Sequence, residues 1–191
     1  MSLLIDPDDC VLLLVDVQEQ FIAKVDGLET SGFIERIAFL AAAARFCAIP
    51  VIASVETPEH MGGLPPALVE ATDGVPAIRK EVFGLADDPL VGPAVKATGR
   101  RTAVLVGLET DVCVAQSALC LLDQGMRVVV VEDAVASPGT AHAAGLDRMR
   151  RAGVIPVVAK QLFYEWMRTV ARAAAFSAAH PAFVTPPGVT L

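Results

Sequence analysis

Between residues 10 and 17 every side chain is apolar except Asp16. A run such as Cys10-Val11-Leu12-Leu13-Leu14-Val15 has no polar face to show to water. It reads as a strand covered on both sides, the situation of a central strand in a parallel sheet. Comparable short runs recur at 50–55, 77–80, 102–106, 127–132 and 155–158. Between them, 33–46, 111–124, 141–152 and 160–175 have helical spacing, and Gly125 and Gly153 stand where such helices end. Strands alternating with crossover helices predict an α/β fold: three layers, doubly wound, with a six-stranded parallel sheet. The order 3-2-1-4-5-6 sets the first and fourth strands side by side, and ligands bind where the winding reverses.

The chain has 191 residues and no internal repeat, so one domain over 1–191 is expected, with a proline-rich irregular tail at 181–191. The longest irregular stretch is 56–76, with Pro58, Gly62, Gly63, Pro65, Pro66 and Pro76. It leaves the second strand and would roof the crevice. The apolar fraction is 54% and the mean hydropathy +0.55, yet charges interrupt every apolar run before it reaches spanning length. Met1-Ser2-Leu3-Leu4-Ile5 runs straight into Asp6 with no basic segment, unlike a signal peptide. No membrane partner is therefore expected. A net charge of -7 argues against nucleic acid. The surplus apolar content, including Ala41, Ala42, Ala43 and Ala44, suggests a subunit interface and hence a homo-oligomer.

Four cysteines stand at 10, 47, 113 and 120, without metal-ligand spacing. Cys113 and Cys120 would lie roughly 10.5 Å apart along one helix, beyond the ~7 Å a disulfide allows. Free thiols predict a reducing, cytoplasmic setting.

Three side chains stand at predicted strand ends. Asp16 closes the first strand, Arg79 and Lys80 close the third, and Cys113 follows Val104-Leu105-Val106-Gly107 at the start of a helix. A carboxylate after five apolar residues must find a partner or a ligand. The pattern alone does not say whether Arg79 or Lys80 points inward. At a helix N-terminus the backbone N–H groups favour a thiolate, and a nearby lysine would favour it further. Most cysteines in such proteins are inert small hydrophobes, and Cys10, Cys47 and Cys120 read as core. Glu109, Asp111 and Asp133 read as ordinary caps. His60, His142 and His180 are scattered. No glycine-rich phosphate loop follows the first strand, where Asp16-Val17-Gln18-Glu19-Gln20-Phe21 stands instead.

Three motifs together carry a resemblance. Leu13-Leu14-Val15-Asp16-Val17-Gln18-Glu19-Gln20-Phe21, Arg79-Lys80-Glu81-Val82-Phe83 and Val106-Gly107-Leu108-Glu109-Thr110-Asp111-Val112-Cys113-Val114 stand in an order and spacing that resemble the isochorismatase-like cysteine hydrolase superfamily. The third motif continues in Asp123-Gln124-Gly125 and Glu132-Asp133-Ala134-Val135-Ala136-Ser137. With Arg148-Met149-Arg150-Arg151-Ala152-Gly153, it looks most like the isochorismatase domain-containing branch. The resemblance implies a triad of Asp16, Lys80 and Cys113. It also implies a non-proline cis peptide between Leu108 and Glu109, and an oxyanion hole from the Glu109 and Cys113 N–H groups.

The implied activity is cleavage of a C–N, amide-type bond of a small molecule through a thioester on Cys113. Isochorismate-like vinyl-ether hydrolysis and non-catalytic binding by an oligomer are the alternatives. Nicotinamidases of the superfamily carry Asp-x-His and a second His after the second strand. Here Ser54-Val55-Glu56-Thr57-Pro58-Glu59-His60 offers poor metal spacing, so no metal and no cofactor is expected.

Overall fold

The computed structural model describes residues 3–183. Six parallel strands form one sheet in the order 3-2-1-4-5-6, as the pattern predicts: β1 (Cys10–Val15), β2 (Val51–Glu56), β3 (Ile78–Lys80), β4 (Thr102–Leu108), β5 (Arg127–Ala136) and β6 (Ile155–Val157). The six longer helices are α1 (Phe33–Phe46), α2 (Val91–Ala97), α3 (Ala115–Asp123), α4 (Ala141–Ala152), α5 (Ala159–Met167) and α6 (Val170–Ala179).

The unbroken apolar run of β1 is explained by its two faces. Cys10, Leu12 and Leu14 enter a core shared with α1, α5 and α6, while Val11, Leu13 and Val15 enter a second core shared with α2, α3 and α4. All six are fully buried. Each such side chain is worth roughly 1.5–3 kcal/mol of burial, so neither core could lose its helices without exposing the central strands. On the first face, Phe39, Phe163 and Phe176 meet with ring centroids 4.9–5.6 Å apart and join α1, α5 and α6.

Several expectations are corrected. Ala41, Ala42, Ala43 and Ala44 lie in the core of α1 and are not an interface, because the short side chains let the helix sit close on the sheet. The single helix expected at 160–175 is two, α5 and α6. The chain turns at Arg168 (φ 66°), and the Thr169 hydroxyl accepts the Arg172 N–H to start α6. The stretch 56–76 contains two short helices, Pro58–Met61 and Pro66–Ala71, each opened by a proline whose fixed φ suits a first helical position. Of the expected tail, Pro181–Phe183 forms a 3₁₀ turn and the rest lies outside the described residues. No helix among the described residues is long and apolar enough to cross a membrane.

Candidate active site

The winding reverses between β1 and β4, whose register pairs Val15 with Gly107. The two strands approach so closely there that a Cβ on Gly107 would lie 2.0 Å from the Val15 carbonyl oxygen. Gly107 also has φ 119°, which a side chain disfavours. The next residue after Val15 is Asp16, in the left-handed region at φ 47° and fully buried. Aspartate is among the few residues that tolerate that conformation. Its Oδ1 accepts the Ser54 hydroxyl at 2.8 Å, and its Oδ2 lies 2.7 Å from Lys80 Nζ.

On β3 the alternation of a strand separates the two basic residues. Arg79 is exposed and pairs with Glu59 and Glu81, each at 2.8 Å, while Lys80 is 1% exposed. Besides Asp16, the Lys80 ammonium donates to the Val82 carbonyl at 3.0 Å and to Cys113 Sγ at 3.7 Å. The choice left open between Arg79 and Lys80 thus falls to Lys80.

Cys113 does not open a regular α-helix. It lies in one wide π-type turn, Thr110–Val114, before α3. There the Val114 N–H reaches back five residues to the Glu109 carbonyl at 3.0 Å. Such turns displace a side chain from the α-helical path. Two contacts fix it. The Ser117 hydroxyl donates to the Cys113 carbonyl at 2.6 Å and accepts the Leu85 N–H at 3.0 Å. Gly145 of α4 packs so tightly on the turn that a Cβ would come within 2.8 Å of Asp111 Cα. The Leu108–Glu109 peptide just before it is cis.

The electrostatics differ from the sequence expectation of a ready thiolate. Burial, then the adjacent Asp16 carboxylate, hold the Cys113 thiol well above its ordinary range, and Lys80 only partly opposes them. Burial also raises Asp16, against the pull of Lys80, Ser54 and Cys113. Burial pulls the Lys80 ammonium down, but Asp16, Cys113 and Glu56 hold it above its ordinary value. Burial thus lifts both acids of the centre, while their contacts with Lys80 favour its positive charge.

Sequence reasoning missed three participants. Ser54 orients Asp16. Glu56, at the end of β2 and paired in register with Lys80, places Oε2 3.7 Å from both Cys113 Sγ and Lys80 Nζ. Buried Gln18 grips the Glu56 backbone from both sides, at 2.7 and 2.9 Å, and the Gly62 carbonyl at 2.6 Å. A polar residue following a buried strand was the available signal for Glu56, as it was for Asp16. Asp16, Glu56 and Cys113 offer ligand atoms within 4.8 Å of one another, but the Lys80 ammonium already stands among them as the cation. A pocket of about 370 Å³ opens against Lys80, lined also by Val82, Asp88 and Leu90.

The other candidates lie elsewhere. The Glu109 side chain pairs with Lys24 at 3.3 Å. Asp111 accepts the Ser137 hydroxyl at 2.7 Å. Asp133, inside β5, caps α5 through the Ala159 N–H at 2.8 Å. His142 meets the Thr110 hydroxyl at 2.9 Å, and exposed His60 lies on the short helix Pro58–Met61. All four cysteines are free. Cys10 and Cys47 are core as expected. Cys120 is not, being partly exposed and 3.3 Å from Asp87 on the solvent side of α3.

Comparison with known proteins places this fold among known ones. The family model described as "Isochorismatase domain" matches residues 10–161. Isochorismatase domain-containing protein 2 of Rattus norvegicus is 29% identical over 178 residues, covering 93% of this chain and 79% of that protein. The structure of YcaC from Pseudomonas aeruginosa, determined with hexane-2,5-diol and covalent acrylamide, superposes with a TM-score of 0.84 at 29% identity, covering 96% of this chain and 95% of the other. YcaC of Escherichia coli, described as an octameric hydrolase of unknown specificity, gives a TM-score of 0.84 at 27% identity, covering 96% and 94%.

Proposed function

The chain belongs to the isochorismatase family of hydrolases, and on that premise we propose that it cleaves the C–N bond of a small amide-type molecule through a thioester on Cys113. The observation that carries the reading is the convergence, at three strand ends, of a thiol, a carboxylate and an ammonium. Lys80 Nζ lies 2.7 Å from Asp16 and 3.7 Å from Cys113.

In this mechanism the resting thiol is activated only when substrate displaces water from the crevice. Asp16 takes the Cys113 proton while Lys80 steadies the resulting thiolate, which attacks the carbonyl carbon. The Glu109 and Cys113 backbone N–H groups receive the oxyanion. The tetrahedral intermediate collapses as Asp16 passes the proton to the leaving amine, and water cleaves the thioester. Burial, by disfavouring the thiolate, shields the resting sulfur from solvent oxidants, since the thiolate is the reactive form. The step needs no metal, because Lys80 supplies the positive charge. The covalent acrylamide on the Pseudomonas aeruginosa relative, an electrophile that is itself a primary amide, supports a reactive nucleophile on that relative.

We further propose a homo-oligomer in the cytoplasm. Support comes from the octameric Escherichia coli relative, from the four free thiols, and from exposed apolar side chains at Phe83, Leu90, Tyr164 and Val170. The test is turnover of a panel of primary amides, ureides and isochorismate by wild type and Cys113→Ala. Release of amine or ammonia that vanishes in the variant is expected. Isochorismate cleavage that survives in Cys113→Ala would overturn the amide reading.

A further inference from the structure

The site holds two carboxylates in unlike surroundings. The Asp16 side chain is 0% exposed, with Oδ1 held by Ser54 and Oδ2 beside Lys80. It is closed off from bulk solvent in this structure. The Glu56 side chain is 21% exposed and reaches the same reacting atom from the solvent side, 3.7 Å from Cys113 Sγ. Its backbone is clamped by Gln18, so the carboxylate is presented from a fixed point while its oxygens stay open to a small molecule.

We propose that Glu56 is the general base of the second half-reaction, the hydrolysis of the acyl-enzyme. The inference rests on the covalent reading above. In the free enzyme Glu56 Oε2 lies 3.7 Å from Cys113 Sγ. Once Cys113 is acylated, the thiol proton has left with the amine by way of Asp16, and the acyl carbon, bonded to Sγ, stands beside Oε2. A water bonded to Oε2 then lies within the ~3–3.5 Å that attack on that carbon requires. Glu56 takes a proton from the water as its oxygen bonds to the carbonyl carbon. The C–S bond breaks, the Cys113 sulfur leaves with the bonding pair, and the proton passes from Glu56 to sulfur. The acid departs and the thiol is restored, with no other reactant consumed. Two carboxylates of different exposure thus divide two proton transfers: Asp16 serves a step from which water must be absent, and Glu56 a step in which water is the substrate.

The experiment uses p-nitrophenyl acetate, whose nitrophenolate release reports acylation and whose steady state reports hydrolysis, with intact-protein mass spectrometry to count acetyl groups. Glu56→Gln removes the base and also a negative charge beside the thiol, which eases ionisation of Cys113. Its burst is expected to be at least as fast as in wild type, while steady turnover falls roughly 100-fold and one acetyl group persists on Cys113. Glu56→Asp, keeping a carboxylate, is expected to recover part of the turnover. A Glu56→Gln variant whose burst and turnover fall together, or whose turnover equals wild type, would overturn the role of Glu56. A Cys113→Ala variant that keeps wild-type turnover would instead overturn the covalent reading beneath it.

Discussion

Ser54 and Asp16 are joined twice: the Ser54 hydroxyl donates to Asp16 Oδ1 at 2.8 Å, and the Asp16 N–H donates to the same hydroxyl at 3.3 Å. The residue of β2 thereby fixes both the backbone and the carboxylate at the end of β1. Oδ2 is left facing Lys80. Removing the hydroxyl leaves buried polar groups unpaired, so Ser54→Ala should cost about 1–3 kcal/mol in a urea titration. Its kcat should fall while KM changes little, because Asp16 is misaimed rather than lost. Asp16→Asn should cost roughly 10²–10⁴ in rate. Wild-type turnover in Ser54→Ala would show that the carboxylate needs no second anchor.

The Asp16–Lys80 pair should behave as one unit in stability. Both side chains are 0% exposed, so replacing either alone strands a charge, at about 3–5 kcal/mol. Lys80→Met combined with Asp16→Asn should therefore lose less than the sum of the two single losses. Additive losses in the double-mutant cycle would contradict this. Lys80→Met should also slow iodoacetamide labelling of Cys113, since the nearest cation is gone, and more alkaline buffer should restore the rate.

Gly145 predicts a lever acting from outside the site. A methyl group there meets the backbone of Asp111 and Thr110 at 2.8–2.9 Å, so Gly145→Ala must push the Cys113 turn or shift α4. Overpacking of this kind costs about 1–3 kcal/mol. The expected signature is a reduced Cys113 labelling rate in a protein that remains folded by circular dichroism. An unchanged rate would mean that α4 absorbs the strain alone.

A separate pH dependence is expected from Cys10, which has no part in the chemistry. Burial raises its thiol from the ordinary 9.0 to about 12. The unfolded chain releases that proton near pH 9 and the folded chain keeps it to near 12. Stability is complete below pH 9 and declines above it, by about 1.4 kcal/mol per pH unit for one proton. In urea titrations between pH 9 and 11, Cys10→Ala should show a decline shallower by that amount. Parallel slopes would remove Cys10 from the account.

Assembly can be read directly. Light scattering at micromolar concentration should give a multiple of the 20.0 kDa chain mass. A value of 20.0 kDa would refute the homo-oligomer.

The sheet was legible because its strands are buried on both faces and so spell continuous apolar runs. The order 3-2-1-4-5-6 then brought Asp16 and Cys113 together across 97 positions of sequence. Other features were hidden for physical reasons. Ser54 and Gln18 look like ordinary polar residues until the register places them against Asp16 and the end of β2. Glu56 was hidden because a carboxylate after a strand is also a common cap. The upward shift of the Cys113 thiol ran against the helix-start argument, because burial and a neighbouring carboxylate outweigh the pull of the lysine. The break at Arg168 carries no glycine or proline to announce it. The alanines of α1 were misassigned because small side chains serve close packing within a chain as well as between chains.

The edge strand β3 is only three residues long, and its middle and last positions carry the two basic side chains of the chain's second motif. Because successive residues of a strand face opposite ways, odd and even positions there have unlike fates: Arg79 is spent on two surface carboxylates, while Lys80 reaches the sulfur. Loss or gain of one residue between Pro76 and Ile78 would exchange the two parities. A guanidinium too large and too rigid for the space would then be aimed at Asp16, and the ammonium would be left in water. In this chain the reading frame of a single short strand sets the chemistry as firmly as the identity of its residues, and length changes there should be far less tolerable than in the proline-rich stretch a few residues upstream.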